Sequence, residues 1–291
     1  MSEDWRLLIE AIEGLKQESS FLKDYLWPIL TGLFSALLGA GIAFWTIKHQ
    51  ERVQIEKEKL DSVNSLMLTV LQAQANLLAW KNNYAQTINI DQSVSTDPLY
   101  RLLSIPRMVG VKNSIDYKTE SIIFIAKNEQ EVSEFSDWQN IARIFSMIGN
   151  YNELQTVLDK RSESYEKVVK IIAASQNGTD INRTELYQLI PWDLLKETID
   201  LTEKMIVMVD DLIIEMTSFL QKFPDISKNS IKTKKIKHYG NVITASSPPD
   251  EFLYLYQRCM EVNYQKLAKI FHENEELVKV RYKRGQMTSE D

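Results

Sequence analysis

Residues 26–47 read LWPILTGLFSALLGAGIAFWTI. No charge interrupts the chain between Asp24 and Lys48, and at about 1.5 Å per residue the uncharged stretch makes a helix ~34 Å long, enough for a bilayer core. Its ten Leu, Ile and Phe residues each favour insertion by roughly 0.3–0.6 kcal/mol, and no ionised group has to be desolvated. Trp27 and Trp45 lie near the ends, where an amphipathic ring rests at headgroup depth. A helix of a water-soluble domain rarely stays apolar on every face for six turns, so the stretch predicts one transmembrane helix.

The flanks refine that expectation. Residues 1–24 carry six acids against three bases, the wrong balance for a cleaved secretory leader. Lys48, Arg52, Lys57 and Lys59 follow the span, and Arg6, Lys16 and Lys23 precede it. Four against three favours a cytoplasmic C-terminal region. Within the span Gly32, Ala36 and Ala40 recur at i+4, beside a second row of Ser35, Gly39 and Ala43. Such a seam lets another helix approach closely, and these six positions are the expected oligomerisation face.

The remaining chain is ordinary in composition, with 44% hydrophobic and 25% charged residues among 291, so disorder is not expected. Nine Gly and seven Pro leave few turn formers and point to few, long elements. The net charge of −6 gives no global attraction to nucleic acid or anionic lipid, so any such contact needs a local patch. A single cysteine, Cys259, forms no internal disulfide, consistent with a reducing compartment.

Taken in order, residues 1–24 hold a short amphipathic helix with Trp5, Leu8, Ile9, Ile12 and Leu15 on one face. Residues 25–47 are the span and 48–88 a stalk helix without Gly or Pro, in which Val53, Leu60, Met67 and Val63, Val70, Leu77, Tyr84 alternate in heptads. Residues 89–285 form a helical bundle domain, followed by a tail at 286–291. Asp97-Pro98 reads as a helix start, and Ser121–Ala126 as a short buried helix. Glu131–Ala174 predicts a long helix that ends at Asn177-Gly178. The next helix runs from Pro191 and stops before Pro224, and the last runs unbroken from Ser247-Pro248-Pro249-Asp250 to Lys283-Arg284-Gly285. Long helices with short connections imply an antiparallel bundle. In that geometry the basic end around Lys279–Arg284 lies near the bilayer and the basic loop 224–246 at the far end.

That loop is the main charge anomaly. KNSIKTKKIKH supplies Lys228, Lys232, Lys234, Lys235, Lys237 and His238 without an acid, and Tyr239-Gly240-Asn241 suggests a hairpin returning through Val242 and Ile243. These six residues are the candidate ligand-binding set, for phosphates of a nucleotide or nucleic acid, although the loop has no Arg and one aromatic. Catalytic patterns are missing: no phosphate loop, zinc spacing or nucleophile elbow is present. Cys259 reads as core. Asp200, Glu203, Asp211 and Glu215 share helical faces and define the only metal-hydrolase alternative, as in all-helical nucleotide pyrophosphohydrolases. Asp210 and Asp211 stand out as acids set among apolar neighbours.

The sequence therefore predicts an all-α chain with one N-terminal transmembrane helix continuing into a stalk and an antiparallel bundle of long helices. The expected role is a non-catalytic, oligomeric membrane effector or scaffold, without cofactor or metal. Its partners are membrane lipid, further copies of itself and a protein bound at the bundle, with nucleic acid the lesser alternative. In architecture this resembles the single-span helical proteins of bacterial phage-defence loci. The resemblance implies an antiviral-defence effector and transfers no individual residue.

Overall fold

A computed structural model describes residues 3–108, 114–126, 138–175 and 182–284. Among the described residues every regular element is helical. The chain divides into two units, Met1–Glu58 and Lys59–Asp291.

In the first unit, α1 (Glu3–Phe21) leads through a π-helical turn, Leu22–Leu26, into α2 (Trp27–Asn82). The apolar residues of α1, Trp5, Leu7, Leu8, Ile9 and Ile12, are exposed, as are all the large apolar side chains of the 26–47 run. Among the described residues one helix is long and apolar enough to cross a membrane, and none of its apolar window is buried by protein. The expectation that the helix continues past Ile47 holds: α2 is a single element of 56 residues.

The second unit is built on three long helices, the rest of α2, α5 (Ile141–Ser175) and α7 (Trp192–Ser230). Short helices fill the gaps: α3 (Gln92–Ser95), α4 (Pro98–Ser104), α6 (Arg183–Leu189), α8 (Leu253–Tyr256), α9 (Tyr264–Phe271) and α10 (Glu275–Arg281). On α2, Leu60, Val63, Met67, Val70 and Leu77 are buried, joined by Leu66, Ala73 and Trp80, and Tyr84 is buried just past its end. That three-and-four spacing makes one wide apolar stripe, broad enough to meet two helices. Contacts between α5 and α7 run in opposite senses: Arg161 meets Thr202 and Arg143 meets Glu215. Those between α2 and α7 do the same, Lys81 with Asp210 and Gln74 with Thr217. Trp138 meets Phe219 edge to face at 5.0 Å, and Phe219 stacks on Phe223.

Helix α4 starts as expected. Asp97 caps it by accepting from the Leu99 and Tyr100 N–H groups at 3.1 and 3.2 Å, with Pro98 in the first turn. Its buried carboxylate also pairs with Lys266 at 2.9 Å, tying α9 to this turn. Asp97→Ala removes both, and we expect a loss of about 1–2 kcal/mol, read as a lower melting temperature. An unchanged melting temperature would show that cap to be idle. Residues 119–125 form a short 3-10 helix, so the 121–126 run is helical up to Ile125.

Four sequence expectations are corrected. Pro224 does not end α7, which runs to Ser230. Phe223, Pro224 and Ser227 are buried there, and Ser227 donates to the Phe223 carbonyl at 2.8 Å, so packing overrides the amide proton that Pro lacks. The segment 247–285 is not one helix. Instead α8, α9 and α10 are separated by an extended stretch, 257–263, and by a left-handed residue, His272, at φ 55°. No hairpin forms at 239–243. Finally, within this unit the basic loop lies beside residues 60–64, its first helical turn, and not at the opposite end. Between α4 and α5 the chain runs back along α5: Arg161 binds the Ile105 and Pro106 carbonyls, Asn152 binds Ile115, and Tyr117 donates to the Ser62 carbonyl. Helix α5 consequently runs in the same sense as α2, and α7 ends beside residues 60–64. The part of the expected second helix at 131–137, and the turns at Gly110, Asn177-Gly178 and Gly285, lie outside the described residues.

Candidate functional site

The six basic positions fall in two groups. Lys228 remains on α7, where it pairs with Asp225 at 2.9 Å. Lys232, Lys234, Lys235, Lys237 and His238 project outward from the connection after α7, around a 3-10 turn at Thr233–Lys235. Beneath them Ile231, Ile236 and Val242 are buried, which fixes the backbone by alternating apolar residues inward and lysines outward. The loop is pinned on α2. Asn64 donates to the Asn241 carbonyl at 3.0 Å and accepts from the Ile243 N–H at 2.9 Å. The Tyr239 hydroxyl donates to Asp61 at 2.7 Å. The result is a shaped cationic surface rather than a slack tether.

The small-residue positions of the span, Gly32, Ser35, Ala36, Gly39, Ala40 and Ala43, are all exposed on α2. A Cβ added at Gly32 or Gly39 meets nothing within 4 Å. The seam is sterically open for a helix partner.

The carboxylates of the hydrolase alternative are not brought together. Asp200 binds Lys204 and the Tyr282 hydroxyl, Glu203 faces Arg101, Asp211 pairs with Arg258 and Glu215 with Arg143. Each is neutralised by its own cation, and the described residues contain no grouping of three ligating side chains.

The feature that periodicity missed is a buried ionic core between α2, α7 and the C-terminal region. Asp210 is fully buried. Its carboxylate lies 2.6 Å from Lys81 Nζ and 3.3 Å from Arg284, and accepts from the Cys259 N–H at 2.7 Å. Lys81 also donates to the Gln257 carbonyl, and Arg284 to the Cys259 carbonyl at 2.7 Å. One step along, Asn89 accepts from the Met260 N–H, Arg101 donates to the Met260 carbonyl, and the Thr96 carbonyl accepts from the Asn263 N–H. The extended residues 257–263 are thus held by side chains and loops in the way a bound peptide is. A backbone run without helix or sheet needs such partners when it is buried.

Electrostatics follow from burial. The Glu203 carboxyl is pushed up by desolvation, against the opposing pull of Arg101 and Arg284. Arg161 is lowered to about 10 by desolvation, and its guanidinium closes the end of α4 by donating to the carbonyls of Leu102, Ile105 and Pro106. Burial, with Asp210 nearby, pushes the Cys259 thiol up to about 12. It stays protonated near neutrality and is a poor nucleophile, in keeping with its expected place in the core. The Tyr84 hydroxyl, raised chiefly by desolvation, is buried without a hydrogen-bond partner among the described residues. The arrangement can hold a segment in place, and its charges are used in doing so.

The sequence signal for this core was available in Asp210, an acid between Val209 and Leu212 on the apolar face of α7. Its basic partners, 129 residues before and 74 after, carry no local mark. No family model, curated protein or solved structure matches this chain.

Proposed function

We propose that the chain is a single-pass membrane-anchored scaffold without catalytic chemistry of its own. It assembles with further copies through the span and presents its helical unit to a protein partner on the cytoplasmic side. One observation carries the reading. The 26–47 run leaves its large apolar side chains uncovered by protein, with exposures of 43–70% from Leu26 to Trp45. Fully burying each such side chain is worth about 1.5–3 kcal/mol, so a run of this length in water is costly and lipid is its natural solvent. The polar groups in the run fit lipid too. Thr31 and Thr46 donate their hydroxyls to the Trp27 and Ile42 carbonyls of their own helix, so neither is left unsatisfied. At the far end Lys48 lies 5.0 Å from the Phe44 ring and Trp45 stacks on His49, the composition of an interfacial belt.

Assembly is tested by size. In mild detergent, light scattering is expected to give a multiple of the 33.8 kDa chain mass. The double variant Gly32→Leu, Gly39→Leu fills the seam and is expected to shift the species toward monomer, with helix content unchanged. Identical masses for wild type and variant would remove the seam from the assembly.

A further inference from the structure

We infer that the lysine loop, Ile231–Ile243, is the surface on which the helical unit receives its partner, and that the partner meets it with an acidic segment of protein. The inference rests on the reading of the chain as a scaffold for a protein partner and gives that partner's chemistry. Its observation is charge left unneutralised on an ordered backbone. Lys234, Lys235 and Lys237 are exposed, and none of them has an acid within ion-pair distance among the described residues. Three surface lysines elsewhere on this unit show the contrast: Lys167 pairs with Glu163, Lys170 with Glu166 and Lys279 with Glu275, at 2.8–3.0 Å. Around the loop the sequence supplies no acid from residue 226 to 249. Asp225, at its edge, pairs with Lys228, and Asp61, on α2, accepts from the Tyr239 hydroxyl.

Ammonium groups held this close in sequence repel one another, and a bound anion relieves that repulsion. The loop is already ordered, because Ile231, Ile236 and Val242 are buried beneath it and Asn64 holds Asn241 and Ile243. Ordering the backbone is therefore not a cost of binding. Length and charge density then select the anion. The five lysines of 226–249 leave a net charge of −11 on the remainder of a chain whose total is −6. A duplex carries one charge per ~1.7 Å and extends past the loop, where that acid-rich remainder repels it. A short acidic segment ends where the lysines end. Single strands bind by stacking bases on aromatic rings, and 228–243 contains one aromatic, Tyr239, whose hydroxyl is engaged by Asp61. Carboxylates on a flexible segment need no such platform and meet each ammonium as a point charge.

The test uses the full chain in a non-ionic detergent and a fluorescein-labelled octaglutamate peptide, with binding followed by anisotropy at low salt. Each exposed ion pair is worth up to about fivefold in affinity, so the triple variant Lys234→Gln, Lys235→Gln, Lys237→Gln is expected to bind about tenfold more weakly than wild type, or weaker still. The charge-matched variant Lys167→Gln, Lys170→Gln, Lys279→Gln is expected to bind like wild type, because those lysines already have acids of their own. Carbodiimide coupling of the peptide to the wild-type chain, mapped by mass spectrometry, is expected at Lys234, Lys235 or Lys237, a result that does not depend on the folding of any variant. Lack of saturable binding, equal losses in the two variants, or coupling confined to other lysines overturns the inference. Tighter binding of an oligonucleotide than of the peptide, abolished in the first variant, also overturns it by assigning the loop to nucleic acid. A monomeric mass for the same sample removes assembly through the span and leaves the peptide result to be read on its own.

Discussion

Asp210→Asn is expected to destabilise the helical unit by about 3–5 kcal/mol, because it leaves buried cations without their counter-charge. Asn keeps the shape of the side chain and can still accept from the Cys259 N–H, so what is lost is the charge facing Lys81 and Arg284. Lys81 is 1% exposed and Arg284 9%, too dry for water to replace the carboxylate. For a chain of this size the loss corresponds to a fall in melting temperature of roughly 10 °C, measured by far-ultraviolet circular dichroism of the detergent-solubilised protein. The adjacent acid supplies the control. Asp211 pairs with Arg258 at 2.9 Å, but the two side chains are 27% and 30% exposed, so Asp211→Asn is expected to cost no more than about 1 kcal/mol. Hydrogen exchange should place the Asp210→Asn damage in residues 257–284, the region that Lys81, Arg101 and Arg284 hold. Equal effects at the two positions would mean that the buried ionic core is not what retains the C-terminal helices.

The second large effect concerns the span. Leu37 and Leu38 lie at the middle of the 26–47 run and are 62% and 55% exposed. Changing both to Arg replaces two favourable insertions by two costs of about 2.5–3.5 kcal/mol each. The summed change of roughly 6–8 kcal/mol exceeds what an ordinary apolar segment can absorb, so the variant should be lost from the membrane fraction. Leu37→Ala with Leu38→Ala should remain there. The double Arg variant should keep the melting temperature of the helical unit if that unit folds without help from the span. Retention in the membrane at wild-type level would contradict the assignment of this run to lipid.

Much of the fold was legible because it depends on local pattern. The uncharged run, the apolar stripe from Leu60 to Leu77 and the Asp97-Pro98 start are each written in local sequence, and the corresponding helices form. The last helix was misread for a physical reason. Phe252, Leu255, Cys259, Leu267 and Ile270 hold helical spacing, but Cys259 and Met260 are recruited into an extended strand of chain by Asp210, Asn89, Arg101 and Arg284. Partners so distant in sequence leave no periodic trace. Local marks of the breaks did exist. Asn263 caps α9 through the Lys266 N–H and Asn274 caps α10 through the Glu276 N–H, and cap residues in the middle of an apparent helix are start signals.

The placement of the basic loop failed for a different reason. The turn count assumed that each long helix reverses the one before, whereas the described residues between α4 and α5 already lie back along α5, so α5 runs in the sense opposite to the expected one. Irregular chain of that kind has no period from which its direction could be read. The carboxylates of α7 illustrate the same limit: helical spacing placed Asp211 and Glu215 on one face, and the structure gives each its own arginine from another segment.

The central claim is that residues 26–47 reside in a bilayer. Its most direct test is to express the full chain, prepare the membranes and wash them with alkaline carbonate before ultracentrifugation. The account predicts that the protein stays in the pellet and is released only by detergent. Recovery in the carbonate supernatant, free of lipid and detergent, would contradict it.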